Sequence, residues 1–130
     1  MLAVTTAIKV LFTADGPLSA AASGGLWFDV VPSTSNVPYI VFSIVDTVPE
    51  WTFSSDMENL RVQFRIYSRS TSSAECQAIF ELLKTVYDEC NIAPVGFTKL
   101  RMKRDISHVE SDPDGGWNYY VDYIIWLQKV

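Results

Sequence analysis

The sequence predicts an α+β fold, in which a mainly antiparallel sheet carries a long helix on one face and a short N-terminal helix. Two neighbouring patterns indicate this fold. From Leu60 to Tyr67, apolar and polar residues alternate, which is the period of a half-buried strand. After the stretch SRSTSS, apolar residues recur every three or four positions, which is the period of a helix. We therefore expect a strand that leads into a helix packed back on the same sheet.

Length and composition place the chain among globular proteins. The 130 residues predict a single domain over positions 1–130, and 48% of them are hydrophobic, unlike a disordered chain. The formal net charge of −5 argues against a general nucleic-acid binder, which usually needs a basic face. The longest strongly apolar run, Tyr39–Val45, is far shorter than the roughly 20 residues of a membrane-spanning helix. The sequence thus predicts no membrane segment.

The N-terminal helix should end at Asp15-Gly16-Pro17, and the small residues that follow leave room for one more helical turn. Its apolar face is formed by Val4, Ala7, Ile8, Leu11 and Phe12. A signal peptide is not expected, because Lys9 and Asp15 interrupt the apolar region and no basic segment precedes it. We therefore expect the protein to stay in the cytoplasm where it is made.

Two strands are predicted before the alternating one. Trp27–Val31 is a short apolar run, and Val37–Asp46 is nearly continuous in β-branched and aromatic residues, which predicts a central strand buried on both faces. Residues 46–59 are then predicted as a long loop that carries Trp51 and Phe53. Such a loop either folds back onto the core or reaches a partner, and the sequence leaves both open.

The long helix is predicted over Ser73–Cys90. Ser72 and Glu75 fit a capping box, in which each side chain satisfies a free backbone N–H at the helix start. The apolar stripe of this helix consists of Cys76, Ile79, Leu82, Leu83, Val86 and Cys90. A helix would hold the two cysteines about 21 Å apart, too far for a disulfide. We expect free thiols, as in a reducing compartment.

The last two strands are predicted at Phe97–Ile106 and Trp117–Leu127. The acidic connection 107–116 contains Asp114-Gly115, a good turn signal, so the two strands should form an antiparallel hairpin. His108 is the only histidine and falls in this connection, where we expect a surface loop residue.

No candidate catalytic or metal site emerges strongly. The residue types of a Ser-His-acid triad occur together at Ser107, His108 and Glu110, but no G-x-S-x-G or oxyanion-hole motif accompanies them. Glu110, Asp112 and Asp114 could surround a cation, but they lack the EF-hand spacing, which favours an acidic, solvated turn. No P-loop, dinucleotide fingerprint or C-x-x-C is present. We expect no cofactor, no metal and no enzymatic activity.

The basic residues follow the strands. Six of the ten lie in two predicted strands: Arg61, Arg65, Lys99, Arg101, Lys103 and Arg104. Both faces of the last strand are substantially apolar, and only one can cover the helix, so a monomer would expose the other. That face is open to three interpretations: a solvated surface, a protein–protein surface or a nucleic-acid surface. The candidate interface residues are Arg61, Arg65, Arg101, Trp51, Phe53, Tyr120, Trp126, Glu110, Asp112 and Asp114.

The order of short motifs resembles the tail-terminator (tail-completion) proteins of long-tailed bacteriophages. The resemblance rests on a turn at Ala14–Leu18, VPYIVF at Val37–Phe42, RVQFRIYS at Arg61–Ser68, a Ser/Thr-capped helix, and the closing strand YYVDYIIWLQ. It spans nearly the whole chain. The sequence departs from the family pattern in the 46–59 loop and the acidic 107–116 connection.

The resemblance implies a virion protein at the head–tail junction, forming a hexameric ring that caps the tail tube. Its partners would be further copies of itself, the tail tube protein and the head connector or stopper protein. DNA would pass through the lumen without specific binding, since six chains of −5 carry a formal −30. A ring needs two different contact patches on each subunit. The candidates are a patch with Arg61 and Arg65 and a patch formed by the Glu110–Asp114 segment. Reversing Arg65 to Glu should then weaken assembly.

Two alternatives stay open from the sequence. A head-completion or connector subunit is also a small ring-forming protein without a catalytic set. A small-ligand-binding or enzymatic α+β domain would instead use the aromatic sheet face as a pocket.

Overall fold

The computed structural model describes residues 2–31, 36–51, 56–88, 96–113 and 115–129. In chain order the elements are α1 (Leu2–Ala14), α2 (Gly16–Ala21), β1 (Leu26–Phe28), β2 (Tyr39–Trp51), β3 (Asp56–Ser68), α3 (Ala74–Tyr87), β4 (Phe97–Ser111) and β5 (Trp117–Lys129). The sheet order is β1-β2-β3-β5-β4. Only β1 and β2 run parallel among the described pairs, and the other pairs are antiparallel. The predicted α+β fold is therefore confirmed.

One hydrophobic core joins the helices to one face of the sheet. The alternation predicted for β3 is confirmed, because Leu60, Val62, Phe64 and Ile66 are all fully buried. They pack in the same cluster as Ile8 of α1 and the apolar residues of α3. Burial of each such side chain contributes roughly 1.5–3 kcal/mol, so this cluster supplies most of the driving force for folding. None of the described helices is long and apolar enough to cross a membrane.

The N-terminal helix α1 ends just before Asp15-Gly16-Pro17, as predicted, and with 13 residues it is nearly as long as α3, which has 14. Its apolar face continues without a break as far as Phe12, and the helix extends with it. Asp15 then ends α1 and caps α2, since its Oδ1 accepts a 2.8 Å hydrogen bond from the backbone N–H of Leu18. The capped turn buries the Leu18 side chain completely.

Residues 46–59 do not form the predicted long loop. The ladder between β2 and β3 continues to the pair Trp51↔Asp56, so the described residues 46–51 and 56–59 belong to two paired strands. Thr47 and Val48 favour strand, and pairing with β3 stabilises the extension. Pro49 is tolerated because β2 is an edge strand at this end, where one missing N–H need not break a ladder bond.

The strand β2 is buried on both faces only over part of its length. It pairs with β1 over Ile40–Phe42, and there Val41, on the face away from the helices, is only 5% exposed. Beyond Phe42, no described strand pairs with the edge of β2 that lies opposite β3, and Val45 is 54% exposed. The predicted central strand therefore becomes an edge strand halfway along.

The predicted capping box of α3 does not form. Ser73 is the N-cap residue and its side chain makes no capping hydrogen bond, while Ser72 Oγ accepts from the Ala74 N–H at 3.2 Å. The Glu75 carboxylate instead accepts a 2.5 Å hydrogen bond from the Ser68 hydroxyl. Ser68 is fully buried and needs an acceptor, and that need draws Glu75 away from the helix start.

The apolar stripe of α3 is confirmed at Cys76, Ile79 and Leu83, which are buried. Two further residues, Phe80 and Tyr87, are also buried and were not in the predicted stripe. Cys76 is unbridged, as expected, and the predicted helix end at Cys90 lies outside the described residues.

The final hairpin forms as predicted, but the first half of the connection 107–116, positions 107–111, is strand. The ladder between β4 and β5 reaches the pair Ser111↔Trp117, because the long β5 offers a partner to every residue up to that point. His108 is therefore a strand residue, although it is exposed as expected. A register shift between Arg104 and Ile106 inserts Asp105 as an extra residue.

Candidate functional site

The sheet face opposite the helices is the candidate partner surface, and we call it the outer face. Residues paired directly across an antiparallel ladder share a face. Arg65 pairs with Tyr120, which pairs with His108, and Arg61 pairs with Ile124. The two arginines and Tyr120 therefore lie together on the outer face, as the alternation along the strands predicted.

Arg61 forms ion pairs within its own subunit. Its Nη1 lies 2.8 Å from Asp105 Oδ2 and 3.5 Å from Asp122 Oδ2. Gln63 donates a 3.0 Å hydrogen bond to Asp122 Oδ1 and so completes the cluster. The arginine side chain is 30% exposed, so these contacts balance its charge but leave it accessible to a partner.

Arg65 belongs to a second network that reaches the acidic turn. Its Nη1 donates to Asn118 Oδ1 at 3.3 Å, and Asn118 Nδ2 donates to Asp112 Oδ2 at 2.8 Å. Asn118 is only 4% exposed, so the bridge between the two charges is buried. The arginines and Asp112, expected as separate patches of a subunit, thus lie side by side in one patch.

Tyr120 lies at the centre of this patch. The imidazole of His108 stacks on its ring with centroids 4.9 Å apart and planes 15° from parallel. Burial raises the pKa of Tyr120 above its usual value, and the Glu110 carboxylate raises it further, while Arg65 opposes the shift. The hydroxyl of Tyr120 is placed to act as a hydrogen-bond donor beside the Glu110 carboxylate.

The geometry does not support a Ser-His-acid triad. Ser107 pairs with Val121 and His108 pairs with Tyr120, so the two neighbours lie on opposite faces of β4. Among the described residues, no three His, Cys, Asp or Glu side chains are grouped to hold a metal ion. The arrangement has the chemistry of a recognition surface, with charged pairs, amide bridges and an aromatic stack.

Three predicted interface residues lie at or beyond the limits of this patch: Trp51, Arg101 and Trp126. Trp51 ends β2, and Arg101 pairs in register with Trp126 of β5, which is half-buried. Phe53 and Asp114 lie outside the described residues. The patch and the far strand ends are therefore separate parts of the sheet.

Five members of the surface were not among the predicted interface residues: Gln63, Asp105, His108, Asn118 and Asp122. The position of Asp105 depends on a bulge, for which the sequence carries no clear signal. Asn118 and His108 could have been found from the period of their strands, once the register of the final hairpin is known.

Comparison with known proteins gives a family and a fold. The family model described as "Tail completion protein gp17" matches residues 6–127. A chain in the structure "Virion of native gene transfer agent (GTA) particle" has a TM-score of 0.79 at 11% identity, covering 95% of this chain and 92% of that one. Another solved structure has a TM-score of 0.63 at 12% identity, covering 97% and 96%. These identities show similarity of fold alone.

Comparison with curated proteins gave no significant match. The family match, however, extends over nearly the whole chain and agrees with the resemblance inferred from the motifs. The chain belongs to the tail completion protein gp17 family and is a structural component of a phage-type virion tail.

Proposed function

We propose that this chain forms a closed ring, a hexamer, at the head-proximal end of the tail tube. The ring ends polymerisation of the tube and joins the tail to the head connector. The observation that carries this proposal is the family match over residues 6–127. Residues 1–130 act as one domain in this proposal, and the role is structural rather than catalytic.

The outer face is the surface that the ring presents to a partner, either the tube protein or the connector. The described helices all pack on the opposite face, and the outer face combines Arg61, Arg65 and Tyr120, residue types that are enriched at the energetic centres of interfaces. Because Glu110 and Asp112 lie in the same patch, the patch offers both charges to one partner. Such mixed charge favours a specific orientation of docking.

The net charge supports a passive lumen. Each chain carries a formal −5, so a hexamer would carry −30. Like charge weakens non-specific attraction of DNA phosphates, which helps DNA to pass without sticking. DNA is cargo in this proposal.

The experiment combines native mass spectrometry with electron microscopy. The purified chain should have six times the mass of one subunit and should appear as rings on one end of tubes made from the cognate tube protein. Tubes grown with the chain should also be shorter than those grown without it. A monomer at micromolar concentration that leaves tube growth unchanged would contradict the proposal. Rings that bind heads but never tubes would favour a head-completion subunit instead.

A further inference from the structure

We propose that the ring closes by continuation of the sheet, with β4 of one subunit pairing along the far half of β2 of the next. This inference rests on the proposed ring and names the contact that builds it. The occupant of each free strand edge is a second copy of this chain.

Two strand edges are open in the described part of the sheet. At one side, β1 covers only Ile40–Phe42, so the rest of β2 has no neighbour there. At the other side, β4 pairs with β5 alone. Open edges present unpaired N–H and C=O groups and are templates for pairing with another chain.

Each open edge contains a regular stretch of matching length. A register shift separates Ile44 from Asp46, so β2 is regular over 46–51. Register shifts also flank Lys99 and Arg104, so β4 is regular over 99–104. These two stretches, which we call the β2 edge and the β4 edge, can pair without a bulge between them, although Pro49 has no N–H to donate to the new ladder.

The two edges lie at the same height across the sheet. Glu50 pairs with Met57, Met57 with Gln128, and Gln128 with Lys99, so one row runs from the β2 edge to the β4 edge. Displacing a second copy sideways along this row places its Glu50 opposite Lys99.

A second row gives the same result. Asp46 pairs with Arg61, Arg61 with Ile124, and Ile124 with Lys103. The same displacement therefore places Asp46 of one copy opposite Lys103 of the other.

The direction of the strands fits this contact. Three successive antiparallel pairings separate β2 from β4, so the two strands run in opposite directions. A second copy displaced sideways keeps its orientation, and its β2 meets β4 as an antiparallel pair. The new pairing thus continues the pattern of the sheet.

The charges of the two edges favour a head-to-tail contact, in which the β2 edge of one subunit meets the β4 edge of the next. The β2 edge contains Asp46 and Glu50 and no basic residue, whereas the β4 edge contains Lys99, Arg101, Lys103 and Arg104 and no acidic residue. Opposite charges across a ladder stabilise a strand pair, and like charges destabilise it. Pairing β2 with β2, or β4 with β4, would oppose like charges. The favoured contact uses one edge of each kind, which generates a ring when it closes.

A competing explanation is that Pro49 and the lysines merely protect these edges from aggregation, as such residues do in many sheets. Paired cysteines separate the two explanations. In a Cys90→Ser background, Glu50→Cys with Lys99→Cys places the two thiols on opposing strands, where Cα atoms lie about 4.5–5.5 Å apart, within disulfide range. Within one subunit the positions are three strand spacings apart, about 14 Å, so a bond must join two subunits.

We expect mild oxidation to give a ladder of covalent oligomers on non-reducing gels, ending at the ring number. Either single cysteine variant should give no ladder. Glu50→Cys with Val109→Cys is the matched control, because Val109 pairs with Tyr119 at the opposite end of β4. Closing a sheet into a ring can require neighbouring strands to shift along each other, and a shift of two residues keeps each side chain on its own face of the sheet. The pair Glu50→Cys with Arg101→Cys therefore tests a pairing of β2 with β4 that is shifted by two residues.

The outcomes distinguish this contact from the ring itself. A ring by native mass spectrometry with a ladder from either test pair supports the edge contact. A ring without a ladder from either pair overturns the edge contact and leaves the proposed function standing. If neither a ring nor a ladder forms, both the edge contact and the proposed function are overturned. As a second measurement, Glu50→Lys should weaken ring assembly about tenfold, and adding Lys99→Glu should restore it; no effect of the first variant contradicts the pairing.

Discussion

The hydroxyl of Tyr87, at the end of α3, donates a 2.8 Å hydrogen bond to the backbone carbonyl oxygen of Ile8 in α1. Both residues are fully buried, and the Tyr87 ring also packs against Phe64 with centroids 4.9 Å apart. This contact joins α1 to α3 on the sheet face opposite the outer face.

Removing the Tyr87 hydroxyl tests this contact. Tyr87→Phe should lower the free energy of unfolding by about 1 kcal/mol, because the ring packing remains. Tyr87→Ala should cost about 3–5 kcal/mol through the cavity it leaves. Urea denaturation followed by circular dichroism measures both values. Thr85→Ala, an exposed change on the same helix, should cost well under 1 kcal/mol; a cost equal to that of Tyr87→Ala would contradict the account.

Two adjacent glycines in the final turn should differ in their tolerance of alanine. A Cβ on Gly116 would lie 2.2 Å from the Ser68 carbonyl oxygen, and its φ is +93°. Gly115 has a φ of +98° but no atom within 4 Å of a Cβ. We expect Gly115→Ala to cost about 1–2 kcal/mol from backbone strain and Gly116→Ala clearly more. Thermal unfolding of both variants measures this, and equal losses would show that the clash is absent.

The buried thiol of Cys76 should be unreactive. Its Sγ donates a hydrogen bond to the Trp117 carbonyl oxygen at 3.3 Å, and burial raises its pKa from 9.0 to about 11, with a further contribution from the charge of Glu75. In a Cys90→Ser background near pH 8, we expect labelling by a disulfide reagent to be about 100-fold slower than in the unfolded chain. A labelling rate equal to that of the unfolded chain would contradict this.

The same pKa shift predicts a dependence of stability on pH. The folded state holds the thiol proton more tightly than the unfolded state, so the contribution is fully present below pH 9 and is lost as the pH rises towards about 11. Urea denaturation across this window should show a steeper loss for the parent chain than for Cys76→Ala. Equal slopes would mean that the thiol does not titrate differently in the two states.

Arg65 provides the test of the outer face. Arg65→Glu would place a carboxylate among Asp112 and Glu110, so we expect weaker assembly, either of the ring or of its complex with the tube. Native mass spectrometry and tube capping measure the two separately. Arg69→Glu is the matched control, because Arg69 is exposed and lies beyond the end of β3. If the Arg65→Glu variant kept both the mass of the ring and the capping of tubes, Arg65 would be excluded from the contact.

Local patterns in the sequence predicted those helices and strands along which the apolar residues recur at a regular spacing. The alternation from Leu60 to Ile66 and the apolar face of α1 required only the rule that each element buries one side. The final hairpin was predicted from Asp114-Gly115 because its turn chemistry is local. The family resemblance likewise depended on such contiguous motifs.

The parts that failed depend on contacts distant in sequence. Residues 46–51 extend β2 because β3 is available as a partner, since Thr47 and Val48 favour strand but Pro49 and Glu50 after them do not. Glu75 leaves the helix start because Ser68, on another element, is buried there. The network from Arg65 to Asp112 likewise requires the register of two ladders. The sequence therefore predicted the composition of the outer face but not its connections.

The most direct test of the central claim is an electron cryomicroscopy map of the particle that contains this chain. We expect six copies in a closed ring between the last tube ring and the head connector. Their sheets should be continuous from subunit to subunit, with the outer face against a partner. A map with the chain elsewhere in the particle, or present as isolated copies, would contradict the account.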